Sequence, residues 1–184
     1  MKKLLLITSL LLATATGLYA QKYMTRTAKI SFDASASGSP EKINAVNNEV
    51  AAILDGKSGD IVFQVPVKSF KFERELMQKH FNENYMESDK YPKAEFKGQV
   101  ARISDINFSK NGTYNTTATG KLTIHGVTRE VATPGTITVN GSVVTVKAKF
   151  KVSLSDYQIK IPGLVADKIG KEATVSLDGE MQPK

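Results

Sequence analysis

The sequence contains no cysteine. That excludes disulfides, thiol chemistry and a lipid carried on an amino-terminal cysteine, so the fold must rest on packing alone. Histidine is scarce, with only His80 and His125. A metal site would need several acids converging on these two, and their spacing supplies none. The formal charge is +7, but the basic residues are scattered. No basic block with interleaved aromatics occurs, which argues against nucleic acid as a partner. There is no dinucleotide fingerprint and no repeat of solenoid or propeller period. Nor does any group of residues suit catalysis. Glu73 and Glu75 stand two apart in a predicted helix and do not face each other. Ser69 has no histidine or acid beside it in sequence. An enzyme is not expected.

Long apolar runs are also missing, except at the start. Lys2 and Lys3 precede an apolar stretch from Leu4 to Leu12, and Leu18-Tyr19-Ala20 ends in a small residue. This pattern predicts a secretory signal peptide over residues 1–20, cut after Ala20, and hence a periplasmic or secreted protein. A membrane anchor is the alternative; the stretch is too short to span a bilayer and no longer one follows. The remaining residues, 21–184, suit one domain with a sizeable interior.

What the chain does have is alternation. Tyr114, Thr116, Ala118, Gly120, Leu122 and Ile124 occupy one face of a predicted strand. Thr113, Asn115, Thr117, Thr119, Lys121 and Thr123 occupy the other. His125-Gly126 then makes a tight turn into Val127-Thr128-Arg129-Glu130-Val131. Val144, Val146, Ala148, Phe150, Val152 and Leu154 alternate with Thr145, Lys147, Lys149, Lys151 and Ser153; the lysine row reads as a solvated outer face. Further strands are predicted over 23–32, 60–70, 94–103 and 172–180, and another begins at Ile106 and Phe108. Pro66 marks an edge or a bulge. Pro134-Gly135 interrupts the return arm of the central hairpin, which resumes at Ile137. Asn140-Gly141 is a strong two-residue turn signal. Residues 41–54 have both helical spacing (Val46, Val50, Ile53) and a hairpin context, and are assigned to a strand. One helix is predicted over Glu73–Asn82. His125, placed in a turn, is expected to bond local backbone.

Seven or eight such strands joined mostly by hairpins predict an all-β antiparallel barrel or sandwich with one short helix. Gly98, Ala118, Gly120, Ala148, Ala173 and Gly179 all fall at inward positions. Small residues at so many of them predict a hollow barrel.

Leu122-Thr123-Ile124-His125-Gly126-Val127-Thr128-Arg129-Glu130-Val131 resembles the signature hairpin of the YceI-like family. Val67-Lys68-Ser69-Phe70, the helix with Leu76 and Phe81, Lys90-Tyr91-Pro92-Lys93-Ala94-Glu95-Phe96 and Leu154-Ser155-Asp156-Tyr157 are similar and come in the right order. The resemblance covers most of residues 24–181. The chain departs from the family pattern at Glu73-Arg74-Glu75, where an Arg-Asp pair is usual, and at Gln158-Ile159, where Gly-Ile is usual. It implies an exported, lipocalin-like up-and-down barrel of about eight strands that binds an isoprenoid or similar amphiphilic lipid, with quinone-related transport, storage or metabolism as the setting. No other cofactor and no metal are implied. Expected partners are the lipid, transient contact with a membrane, and a homodimer.

The binding wall is then drawn from inward apolar positions. The strands offer Phe32, Phe63, Phe96, Tyr114, Leu122, Ile124, Val146, Phe150 and Val175. The helical segment offers Phe72, Leu76 and Phe81, and the irregular segment offers Ile159, Ile161 and Leu164. Two other readings compete: a cavity-less β-domain acting in envelope stress or surface interaction, and an enzyme acting on a lipid. Small inward residues favour the carrier over the first. The lack of converging polar groups counts against the second.

Overall fold

The computed structural model describes residues 22–184. The expected signal peptide, residues 1–20, lies outside the described residues. Eight antiparallel strands close into a barrel in sequence order, with the last paired to the first. They are β1 (Lys22–Ser35), β2 (Asn44–Asp55), β3 (Asp60–Pro66), β4 (Lys93–Val100), β5 (Gly112–Ile124), β6 (Val127–Asn140), β7 (Val143–Ser153) and β8 (Ile169–Pro183). The single α-helix among the described residues, α1 (Glu75–His80), runs straight into a π-helical turn, Phe81–Tyr85. Because the strands simply alternate in direction, loops 36–43, 67–92, 125–126 and 154–168 gather at one end, the mouth. Loops 56–59, 101–111 and 141–142 gather at the other.

The central hairpin forms for the reason its alternation gives. β5 and β6 pair without a break from Gly112↔Val139 to Ile124↔Val127. Their threonine face lies outside, where Thr113 bonds Thr138 at 3.0 Å and Thr123 bonds Thr128 at 2.8 Å. His125 and Gly126 make the turn at φ +51° and +74°, the pair of left-handed residues that a twisted two-residue hairpin needs. The lysine row of β7 also lies outside, with Lys147 2.9 Å from Asp178 and Lys151 3.0 Å from Glu172 on β8.

Several expected boundaries move, each for a local reason. The segment at 44–55 is a strand, as assigned. Its helical spacing does not mark one face, since Val50 is fully buried and Ile53 is 43% exposed; a bulge from Ala28↔Val50 to Ile30↔Asn47 takes two residues of β1 and three of β2. One extra residue shifts the period-two phase, so the buried positions run Ala45 and Asn47, then Val50, Ala52 and Leu54. An opposite shift between Thr25 and Ala28 explains why β1 alternates only in part. β3 stops at Pro66, and Val67–Ser69 is a 3-10 turn rather than more strand. Pro66 marks the end of a ladder inside a closed wall; it pairs with Lys93, and its carbonyl accepts from Asn47 Nδ2 at 2.8 Å. β4 ends at Val100, and Ile106 and Phe108 belong to the following loop, not to β5. Pro134-Gly135 does not interrupt β6, because the β6–β7 ladder begins at Gly135 and Pro134 owes it no N–H. The second hairpin turn is Gly141-Ser142, enclosed by the pair Asn140↔Val143, and only Gly141 takes positive φ. The helix is shorter than expected at both ends.

The two halves of the barrel differ. At the closed end Val50, Leu54, Val144 and Met181 are fully buried, and Tyr23 stacks on Phe108 with ring centroids 5.3 Å apart. Ile106 and Phe108 turn inward there as a plug. Toward the mouth the bore is open.

Two of the small inward residues have another task. Gly98 and Gly120 face each other across β4 and β5. A Cβ on Gly120 would lie 2.2 Å from the Lys97 carbonyl oxygen and 2.3 Å from Gly98 Cα. These glycines let two strands approach closely; they do not widen the bore. At Gly179 an added Cβ meets nothing nearer than 3.5 Å. Gly120→Ala is therefore expected to destabilise the barrel by roughly 1–3 kcal/mol through backbone overlap, and Gly179→Ala by less than about 1 kcal/mol. Urea unfolding of the two variants checks this, and equal losses would remove the close-approach argument.

Candidate ligand-binding site

The open half of the barrel holds a cavity of about 470 Å³. Its wall is built by the inward positions of β1, β3, β4, β5, β6, β7 and β8, and its upper part by the segment from Phe70 to Met86. The volume falls in the range of single small-molecule sites. Thr116 and Thr133 are among the few polar side chains in the strand wall; the Thr116 hydroxyl already donates to the Ala101 carbonyl at 3.0 Å.

Most of the expected wall is present. Phe32, Phe63, Phe96, Leu122, Ile124, Val146, Phe150 and Val175 line the cavity from the strands. Phe72, Leu76 and Phe81 line it from the helical segment, and Ile159 from the β7–β8 loop. Three expected residues do not. Tyr114 sits toward the closed end, its ring against Gly112 and its hydroxyl toward the Asn107 carbonyl at 3.5 Å. Leu164 is 92% exposed at the rim. Ile161 stands in the same irregular loop and is not part of the wall. Leu76, although it borders the entrance, is 63% exposed.

The sequence reading missed Val67, Phe70, Met77 and Met86, which the segment after β3 folds over the opening. Phe70 joins Phe32, Phe72 and Phe81 in a cluster with ring centroids 5.1–5.8 Å apart. The π-helical turn that follows α1 begins at Phe81 itself. Such turns are single-turn irregularities that recur at functional sites. The signal available in the sequence was the Phe70-x-Phe72 spacing, which suits a strand and hid the change of direction.

Two clasps tie the mouth loops together. Glu41 from the β1–β2 loop pairs with Arg74 at the start of α1 and, at 3.2 Å, with Lys168 before β8. Those two cations hold the Glu41 carboxyl below its ordinary range, the Arg74 hydrogen bond first and the Lys168 hydrogen bond second. The second clasp is His125. Its Nε2 lies 2.8 Å from Glu87 Oε2, and its Nδ1 lies 3.2 Å from the Tyr157 carbonyl oxygen. Both partners are acceptors, so a neutral ring donates to one and a charged ring to both. Its bonds are thus to distant segments, not to local backbone. Tyr91 meets the His125 ring edge-on at 4.8 Å and closes over Gly126, where an added Cβ would lie 2.4 Å from its ring. Buried Tyr157 keeps its hydroxyl protonated to a pH above the ordinary tyrosine range, chiefly through desolvation.

Among the described residues no group of three His, Asp or Glu side chains is placed to hold a metal ion. The geometry offers mainly apolar surface and shape.

The family model for the YceI-like domain matches residues 21–181. The match therefore includes β1, whose bulges disturb its alternation. A search of curated proteins found no match. Among solved structures, the chain is similar to a polyisoprenoid binding domain from Saccharophagus degradans implicated in plant cell wall breakdown. That pair has a TM-score of 0.77 and 12% identity over 90% of this chain and 99% of the other. It is also similar to Burkholderia cenocepacia BcnA, with TM-score 0.68 and 18% identity over 84% of this chain and 95% of the other. A Campylobacter jejuni YceI protein matches with TM-score 0.58 and 17% identity over 75% of this chain and 83% of the other. With the family match spanning all eight strands and the mouth loops between them, the chain belongs to the YceI-like family.

Proposed function

We propose that this protein is an exported carrier that holds one long apolar chain, an isoprenoid or a similar amphiphilic lipid, in the open half of its barrel. The observation that carries this reading is the 470 Å³ apolar cavity above a solid plug. A barrel without a cavity does not fit it. The similarity to a polyisoprenoid binding domain supports the ligand class, and the signal-like first twenty residues support export.

The energetics suit a hydrocarbon. Each buried methylene contributes about 0.8 kcal/mol, while association and ordering cost about 4 kcal/mol or more. A micromolar complex then needs roughly 15 buried carbons, or three isoprene units. At roughly 30 Å³ per water-sized group, the 470 Å³ cavity admits a chain of that size. An isoprenoid quinone tail or a quinone precursor meets this requirement. The rim presents exposed Leu76 and Leu164 beside the Glu41 clasp, which suits brief contact with the membrane from which such a ligand comes. Because every strand has two neighbours in the barrel, a homodimer would pair mainly through side-chain faces.

The Glu41 clasp acts as the latch of the mouth. Its depressed carboxyl means that the tie is intact above the unfolded-state value and is lost as pH falls through the lower folded-state value. Release of a bound fluorescent fatty or isoprenoid probe should therefore speed up only on strong acidification. Glu41→Gln should release the probe several-fold faster at neutral pH and lose the acid dependence. Stopped-flow dilution measures both, and an unchanged acid profile in the variant would rule the latch out.

Native mass spectrometry of protein purified from its own host should show an apolar adduct. Ala148→Phe, which fills the bore, should lower probe uptake at least about tenfold while the far-ultraviolet circular dichroism stays that of the barrel. A protein that is always empty and takes up no such probe would end the carrier reading.

A further inference from the structure

The cavity has a second boundary besides the mouth. The β6–β7 ladder stops at Gly135↔Ala148. Beyond that pair β6 continues to Val127 bonded only to β5, and β7 continues to Ser153 bonded only to β8. The barrel wall is split there, over its mouth-side half. Pro134, the first residue past the ladder, has no N–H with which to extend it. The foot of the split is flanked by small side chains, Thr133 and Ala148, and by Gly135, which has none. Its upper part is filled: buried Tyr157 and Ile159 pack with Val131 and Val152, and Arg129 Nε donates to the Asp156 carbonyl at 3.1 Å. Thr136 and Lys147, just below the split, belong to the outer face, where Lys147 pairs with Asp178 at 2.9 Å. Both border the cavity, and the main chain is close to the bore here: a Cβ on Gly135 would lie 2.5 Å from the Lys147 carbonyl oxygen.

We propose that the foot of this split is a lateral window through which the tail of a long-chain amphiphile leaves the barrel while its polar head stays at the mouth. The inference rests on the carrier reading and specifies its substrate class: single chains longer than the cavity. A blind pocket rejects carbons beyond its capacity. A pocket with a side window tolerates them without favouring them, because carbons outside the wall are no longer buried. Affinity should then rise about fourfold per added methylene until the cavity is full, and level off rather than fall.

The test uses a series of prenyl and alkyl phosphates with one head and chains from shorter than the cavity to about twice its capacity. The natural chain has no thiol, so Thr136→Cys carries a polarity-sensitive fluorophore at a unique place on the outer lip. Thr138→Cys, two residues along the same face, is the control. Long members should shift the emission of the Thr136 label and short members should not, with the Thr138 label silent throughout. Thr133→Trp, which narrows the window, should lower the long-to-short affinity ratio at least about tenfold. Long members that bind without moving the Thr136 label, or with an unchanged ratio in Thr133→Trp, would overturn the window and leave the carrier standing. Failure of every member to bind the unaltered protein would overturn both.

Discussion

The bore of an eight-stranded barrel is the constraint from which the rest follows. Strand number and tilt fix its width, and at eight strands it is just wide enough for inward side chains to fill or for one small ligand. Closure gives every strand two neighbours over at least part of its length, so no strand is left at an edge of the sheet. Whether the interior is solid or hollow is then decided by side-chain size at each level of the axis. Here leucine, valine, methionine and the loop residues Ile106 and Phe108 fill one end. Alanines 118, 148 and 173 thin the wall at the other, and the cavity begins there.

A hollow half-barrel needs a cover that can open. The cover is made from loops rather than from the sheet, and it is held by few polar ties. Glu41 joins three segments that are far apart in sequence, and His125 ties two of the same loops, 67–92 and 154–168, to the central hairpin. His125 stands at φ +51°, an uncommon conformation for a residue with a side chain. Its two ring contacts and the Tyr91 edge hold it there. Beneath these ties the Phe32, Phe70, Phe72 and Phe81 rings make an apolar lining to the cover. Few polar ties over an apolar contact allow the loops to part without disturbing the ladders below.

Legibility of the site followed the period of the strands. Where a strand alternates without interruption, as in β5, β7 and β8, the inward residues Leu122, Val146, Phe150 and Val175 were placed on the wall from sequence and stand there. Tyr114 shares the inward face of β5 and still misses the cavity. Alternation gives the face of a residue but not its height along the barrel axis. Leu164 and Ile161 had only hydrophobicity in their favour, in a segment without a period, and the fold leaves Leu164 in solvent. The same limit applied to Gly120: its small size was legible, but its cause was the approach of the Lys97–Gly98 backbone, a neighbour in space only.

The sequence by itself determined the strand class, the faces, the turns at His125-Gly126 and near Gly141, and the family. All of these are local: a period of two, a left-handed turn pair and short motifs are written within a dozen residues. The tertiary structure alone decided where the bore is plugged, how Phe70 and Phe81 meet over the mouth, and that Tyr91, His125 and Tyr157 share one clasp. It alone decided that β6 and β7 part beyond Gly135. Each of these depends on register between distant strands and on which loops arrive at the same end, and a shift of one residue would change every contact involved.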